Sequence, residues 1–165
     1  MQEILNDENT NALSYLVMCF HESLRMEPPV IGSTSLMFTE NVTLGEFKIS
    51  KGTGMNIFFH NIHHNPKEWQ QHDQFIPERF DPRSTFYLTP DGKKRNPYSF
   101  TPFIGGKRVC LGKTFAETIA RYVVPSILGK YKFELKDHQK LLTDKPYINV
   151  DTEKDPLILV KIKKN

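Results

Sequence analysis

Phe103-Ile104-Gly105-Gly106-Lys107-Arg108-Val109-Cys110-Leu111-Gly112 is the stretch on which the reading of this chain turns. Three glycines, two cations and one cysteine fall within ten residues. An apolar, helix-compatible run follows from Thr114. The grammar is a tight loop that delivers one thiol to the start of a helix. Glycine is needed where the backbone turns with positive φ or must lie against a flat ligand. The free N–H groups and partial positive charge of a helix N-terminus favour a thiolate over a thiol. Arg108 stands two residues before the sulfur, where a guanidinium can hydrogen-bond a carboxylate on whatever the sulfur binds.

These parts suit a thiolate ligand to haem iron. The spaced pattern Phe-x-x-Gly-x-Arg-x-Cys-x-Gly is complete in Phe103, Gly106, Arg108, Cys110 and Gly112. It strongly resembles the haem-binding loop of the haem-thiolate monooxygenases, the cytochrome P450 family. The bland alternative is a buried cysteine in an ordinary Gly-rich turn, but five fixed positions in ten say far more than a lone Gly-rich loop. The resemblance implies that Cys110 is the axial ligand to the iron of haem b (iron protoporphyrin IX) and that Arg108 binds a haem propionate. It also implies that Phe103 packs against the ligand region, and that Gly106 and Gly112 let the backbone come close. The fold it implies is α+β, the C-terminal third of the P450 fold. Residues 1–165 would then be one partial domain, with the N-terminal part and the oxygen-activating helix absent.

Working upstream, Leu13, Leu16, Val17, Phe20 and Leu24 recur at spacings of three and four, which predicts a helix over Ala12 to Met26. Asn9 or Asn11 could cap its start, and Pro28-Pro29 ends it. Glu22 and Arg25, three apart, share one face and can pair. On residues alone this is an ordinary solvated ion pair. In the resembled family a Glu-x-x-Arg helix ending in Pro-Pro precedes the haem loop. Short strands are expected from Ile31 to His60, with a hairpin turning near Gly45, a second turn at Lys51-Gly52 and a strand over Met55–Phe59. His60, His63, His64 and His72 invite a metal reading, but no carboxylate or cysteine completes the set. Phe75 to Pro82, with two prolines around a charged pair, reads as a rigid extended segment. The resemblance places its Arg79 beside Glu22 and Arg25, as a buried three-membered structural network.

Closer to the loop, Leu88 to Ser99 is polar, with a turn at Thr89-Pro90-Asp91-Gly92. The basic run Lys93-Lys94-Arg95 reads as a solvated loop. Downstream, a helix over Gly112 to Leu128 should present Phe115, Ile119, Tyr122 and Val123 to the core, with Pro125 kinking or shortening it. Three short strands are expected at Lys132–Leu135, Tyr147–Val150 and Leu157–Ile162.

Composition sets the outer bounds. At 165 residues one domain is the default, and the 11 prolines and 9 glycines argue for many turns and few long helices. A net charge of +3 with scattered Lys and Arg does not argue for nucleic acid. Two cysteines, Cys19 and Cys110, make no disulfide framework and suit a reducing compartment. No apolar run approaches membrane-spanning length. The resemblance adds partners: NADPH-cytochrome P450 reductase or a ferredoxin as electron donor, and a small lipophilic substrate. It implies the cytosolic face of the endoplasmic reticulum membrane for a full-length parent. It assigns no catalytic residue within this stretch, and it implies that the stretch alone is inactive. A haem-thiolate isomerase or dehydratase, or a non-catalytic haem-binding remnant, stays open as an alternative.

Overall fold

The computed structural model describes residues 7–135 and 160–164. The chain divides into two compact units, Glu22–Val109 and Met1–His21 with Cys110–Asn165. Helix α1, Asp7–Met26, begins in the second and ends in the first. It starts five residues before the predicted Ala12. Those residues, 7–11, carry no apolar side chain, so hydrophobic periodicity is blind to them. Its last turn closes with the Glu27 N–H donating to the Ser23 carbonyl (2.9 Å), just ahead of the two prolines.

Within Glu22–Val109 the strands are short and antiparallel. β1 (Leu36–Met37) pairs with β4 (Gly54–Met55), and β2 (Val42–Leu44) with β3 (Phe47–Ile49) in the register Val42↔Ile49. Gly45 at φ +59° and Gly52 at φ +85° make the two predicted turns. A Cβ at either would meet nothing within 4 Å, so the left-handed backbone alone calls for glycine there. The strand predicted through Phe59 ends early instead. Phe59 opens the short helix α2, Phe59–His63, whose two buried residues stand four apart on one face. Burial of Phe59 and His63 wins over the strand preference of the local sequence. Phe75–Pro82 is likewise not extended throughout: Pro77–Phe80 forms a 3₁₀ turn, with Pro77 at the opening position.

The core of this unit is small and mixed. Leu24, Phe59 and Trp69 are buried there together with Pro28 and Pro77, and Glu22, Arg25, His63 and Arg79 are fully buried beside them. Asn65 turns Trp69 inward: its carbonyl accepts from the Glu68 and Trp69 N–H groups (3.0 Å each), and its side chain accepts from the Lys67 N–H (3.0 Å). Trp69, Phe80 and Phe100 then meet ring to ring at centroid distances of 4.9–6.3 Å.

In the other unit, α3 (Lys113–Thr118) runs through a π-helical stretch, Ile119–Val123, into α4 (Val124–Leu128). The predicted helix is therefore present, and it is widened rather than stopped ahead of Pro125. Phe115, Ile119, Tyr122 and Val123 are all exposed, contrary to their predicted place in a core, and Ala120 is the buried residue of this stretch. β5 (Tyr131–Leu135) pairs antiparallel with β6 (Val160–Lys164), Phe133 opposite Ile162. The strand predicted at Tyr147–Val150 lies outside the described residues.

Candidate functional site

The loop is built from its entry. Asn96 caps a 3₁₀ turn over Pro97–Ser99, its side chain accepting from the Tyr98 N–H (2.9 Å). The Thr101 N–H donates to Nε2 of His63 (3.0 Å), and the Thr101 carbonyl accepts from the Ile104 N–H (3.1 Å). Ile104 takes φ +52°, a left-handed conformation rare for a β-branched residue, and Gly106 takes φ +68°. Gly106–Arg108 is a 3₁₀ turn. Phe103 is half-buried, and Gly106, Arg108, Cys110 and Gly112 are exposed.

Cys110 carries a free thiol. Its carbonyl accepts from the Lys113 N–H (3.3 Å), which fixes the residue just ahead of α3. A Cβ on Gly112 would stand 3.8 Å from Sγ, so the glycine keeps one side of the sulfur clear of side chain. Within Glu22–Val109, an apolar cavity of about 460 Å³ is lined by Leu36, Ile57, Phe59, Ile104 and Tyr98, with Lys107 and Arg108 among its walls. Its lining is mostly apolar, with two cations at the wall.

Behind the loop entry the structure brings Glu22, Arg25 and Arg79 together. Arg25 donates Nε to Glu22 Oε2 (2.8 Å) and Nη2 to Oε1 (2.9 Å), a bidentate fork. Arg79 donates Nε to the same Oε1 (3.0 Å), as does the Ile76 N–H (2.8 Å). One carboxylate thus serves two guanidiniums. Backbone carbonyls take the remaining donors: those of His63, His72 and Gln74 from Arg25, and those of Gln70, Gln71 and Gln74 from Arg79. Burial holds the Arg79 guanidinium below its ordinary pKa, and the charge of Arg25 adds to the effect.

Two members of this cluster were read differently from the sequence. Arg95 belongs to the basic run read as solvated. Instead its guanidinium lies 4.3 Å from the Trp69 ring centroid and donates to the carbonyls of Arg79 and Phe86. Burial, then the charge of Arg79, lowers its pKa to about 10. The identity Arg rather than Lys is the one signal that sets it apart in that run. His63 is the other. Burial first, then the neighbouring His64, lowers its pKa to about 4, so its ring is neutral at pH 7. The Thr101 N–H makes Nε2 the acceptor, which leaves the ring proton on Nδ1. His60 and His64 stack at 4.1 Å between centroids, with His72 edge-on to His64 at 6.5 Å. Among the described residues no group of three or more His, Cys, Asp or Glu could hold a metal ion.

The chain matches the family model described as Cytochrome P450 over residues 2–159. It belongs to the cytochrome P450 family. Cytochrome P450 4F8 of Homo sapiens is 34% identical over 149 residues, which cover 85% of this chain and 27% of that one. Cytochrome P450 4A10 of Mus musculus is 34% identical over 143 residues, 80% of this chain and 25% of that one. The P450 chain thus spans about a quarter of the length of the curated relatives it matches. A solved structure described as retinoic acid bound cyanobacterial CYP120A1 matches with a TM-score of 0.72 at 26% identity, covering 98% of this chain and 35% of that one. The fold is accordingly part of the P450 fold, with its helices and short antiparallel strands. Family membership implies haem as the cofactor. Among the described residues no helix is long and apolar enough to cross a membrane.

Proposed function

We propose that this P450 chain is the haem-ligating, C-terminal part of a haem-thiolate monooxygenase that inserts oxygen into a small lipophilic substrate, with electrons from a reductase or ferredoxin. Both compact units would belong to one partial domain of that enzyme. The single observation that carries the reading is Cys110: a free, exposed thiol at the mouth of a helix, kept open by Gly112, in a chain of this family. The residues present fit haem. Cys110 would hold the iron, Arg108 would bind a propionate, Phe103 would shield the sulfur, and Gly106 and Gly112 would admit the ring. When bound, the cofactor supplies the oxygen-activating chemistry, which a thiolate ligand favours by pushing electron density to the iron.

What the chain itself does is hold and orient. Ile57, Phe59 and Ile104 would offer apolar contact, and the cations Lys107 and Arg108 would offset carboxylate charge. Glu22, Arg25 and Arg79 act as scaffold: each is fully buried, out of reach of a substrate. Lys107 and Lys113, on either side of Cys110 in sequence, would meet an acidic electron donor. The full-length enzyme would sit at the cytosolic face of the endoplasmic reticulum membrane, and this stretch alone would be inactive.

The test is spectroscopic. In a chain carrying the complete family fold, Cys110→Ser should abolish the thiolate-type Soret band of the ferrous–CO complex, and Cys19→Ser should leave it intact. Persistence of that band in the Cys110 variant would remove the assignment.

A further inference from the structure

We infer that His63 is a positioning residue: its neutral ring is the peg from which the turn carrying Phe103, and the Gly106–Arg108 turn after it, hang. The two polar ends of this one residue face different parts of the fold. Its carbonyl accepts from Nη1 of Arg25 (2.9 Å), which ties it to the end of α1. Its Nε2 accepts from the Thr101 N–H (3.0 Å), which ties it to the chain entering the loop. Thr101 in turn closes the next turn, its carbonyl taking the Ile104 N–H (3.1 Å). That turn holds Phe103 and ends on the left-handed Ile104. A strained residue persists only where its surroundings over-determine it. The His63 bond fixes the residue from which that strain is held.

The ring is well suited to the task. It is fully buried, and it packs against Phe100 at 5.3 Å and Phe59 at 6.4 Å between centroids. It can accept at Nε2 only while neutral, because a protonated imidazole donates from both nitrogens. The charged and titratable groups facing it are Arg25 from α1, His60 from its own helix and His64 just after that helix, and all three oppose its protonation. The site therefore keeps an acceptor where the loop needs one. An orphaned Thr101 N–H would have no such partner, and an unpaired buried donor is costly.

This inference rests on the haem-loop reading only for the consequence to ligation; the peg itself is tested in the 165-residue chain without cofactor. Gln places an amide oxygen near the position of Nε2, whereas Asn is too short to reach it. Amide hydrogen exchange should therefore be compared in the parent chain, His63→Gln and His63→Asn. His63→Asn should speed exchange at Thr101 and over Phe103–Arg108 about tenfold, the loss expected for one hydrogen bond, while Glu22–Met26 keeps its protection. His63→Gln should stay within about threefold of the parent at the same amides. Equal rates in both variants, or an acceleration shared equally by Glu22–Met26, would overturn the inference. In the haem-loaded complete fold, His63→Asn should lose thiolate-type ferrous–CO signal that His63→Gln keeps. If the parent itself lacked that signal, the functional reading would fall, while the exchange pattern would still decide the role of His63.

Discussion

Glu22 offers one carboxylate to two guanidiniums, and that imbalance decides which substitution hurts most. Arg25 has Glu22, three backbone carbonyls and the Met26 sulfur as partners. Arg25→Ala strips all five and leaves Glu22 with Arg79 and the Ile76 N–H. Breaking a buried charge set in this way costs about 3–5 kcal/mol. We expect Arg25→Ala to unfold at markedly lower urea and to fail to hold haem; full haem occupancy with lost turnover alone would point to a catalytic role instead. A second expectation concerns acid. The folded pKa of His63 lies near 4 against 6.5 for a free imidazole, so the unfolded chain takes up the proton first as pH falls. Its contribution is complete above pH 6.5 and is lost on descending toward pH 4. A shift of this size corresponds to roughly 3 kcal/mol at 1.36 kcal/mol per unit. Urea midpoints across pH 4–7 should fall over that window in the parent and more weakly in His63→Gln. At this scale the sequence was partly legible. The three-residue spacing of Glu22 and Arg25 announces a pair, and the family resemblance adds Arg79. Arg95 was hidden, because which member of a basic run turns inward depends on the carbonyls of Arg79 and Phe86. Those are brought near only by the fold.

Among the elements, the helix after Cys110 shows how a proline is absorbed. The π-helical Ile119–Val123 widens the coil, and Pro125 then falls in the first turn of α4, where a missing N–H costs least. The Ser126 hydroxyl donates to the Tyr122 carbonyl (2.6 Å) and satisfies an acceptor that the irregular turn would otherwise expose. Pro125→Ala should therefore change unfolding free energy by less than about 1 kcal/mol. Ala120→Pro, inside the π stretch, should cost about 3 kcal/mol or more. Urea titrations of the two variants separate the cases, and a large gain from Pro125→Ala would mean the proline is strained where it stands. The sequence announced this helix through its apolar spacing. It did not announce the exposure of Phe115, Ile119, Tyr122 and Val123, because periodicity marks which residues share a face and not what lies against that face. The hairpin at Gly45 was legible for a local reason, its positive φ. The helix over Phe59–His63 was not, since burial of Phe59 and His63 overrode local preference.

For the whole molecule, the charge balance of +3 supports one further expectation. If Lys107 and Lys113 meet an acidic flavin or ferredoxin domain, reversing both to Glu in the complete fold should slow the first electron transfer at low ionic strength. Haem content should stay the same. The gap should close as salt shortens the Debye length to about 8 Å near 0.15 M. Reduction kinetics that match the parent across a salt series would rule the contact out. Family and fold were legible from a loop of ten residues because the requirements there are local: a turn, a thiol and a cation at fixed spacing. The division into Glu22–Val109 and the remainder was not, because it depends on long-range packing that leaves no mark on local spacing.

Trp69 is the chain's single tryptophan, and it is 1% exposed, with the guanidinium of Arg25 at 5.3 Å and that of Arg95 at 4.3 Å from its ring centroid. The chain therefore carries a built-in optical gauge of its charge cluster. Selective excitation of that one indole reads the polarity of the buried surroundings it shares with Arg25, Arg95, Phe80 and Phe100. Its emission maximum should lie to the blue while the cluster is closed and move to the red as water enters. That makes fluorescence a way to watch the scaffold open without any label, separately from the ellipticity of the helices.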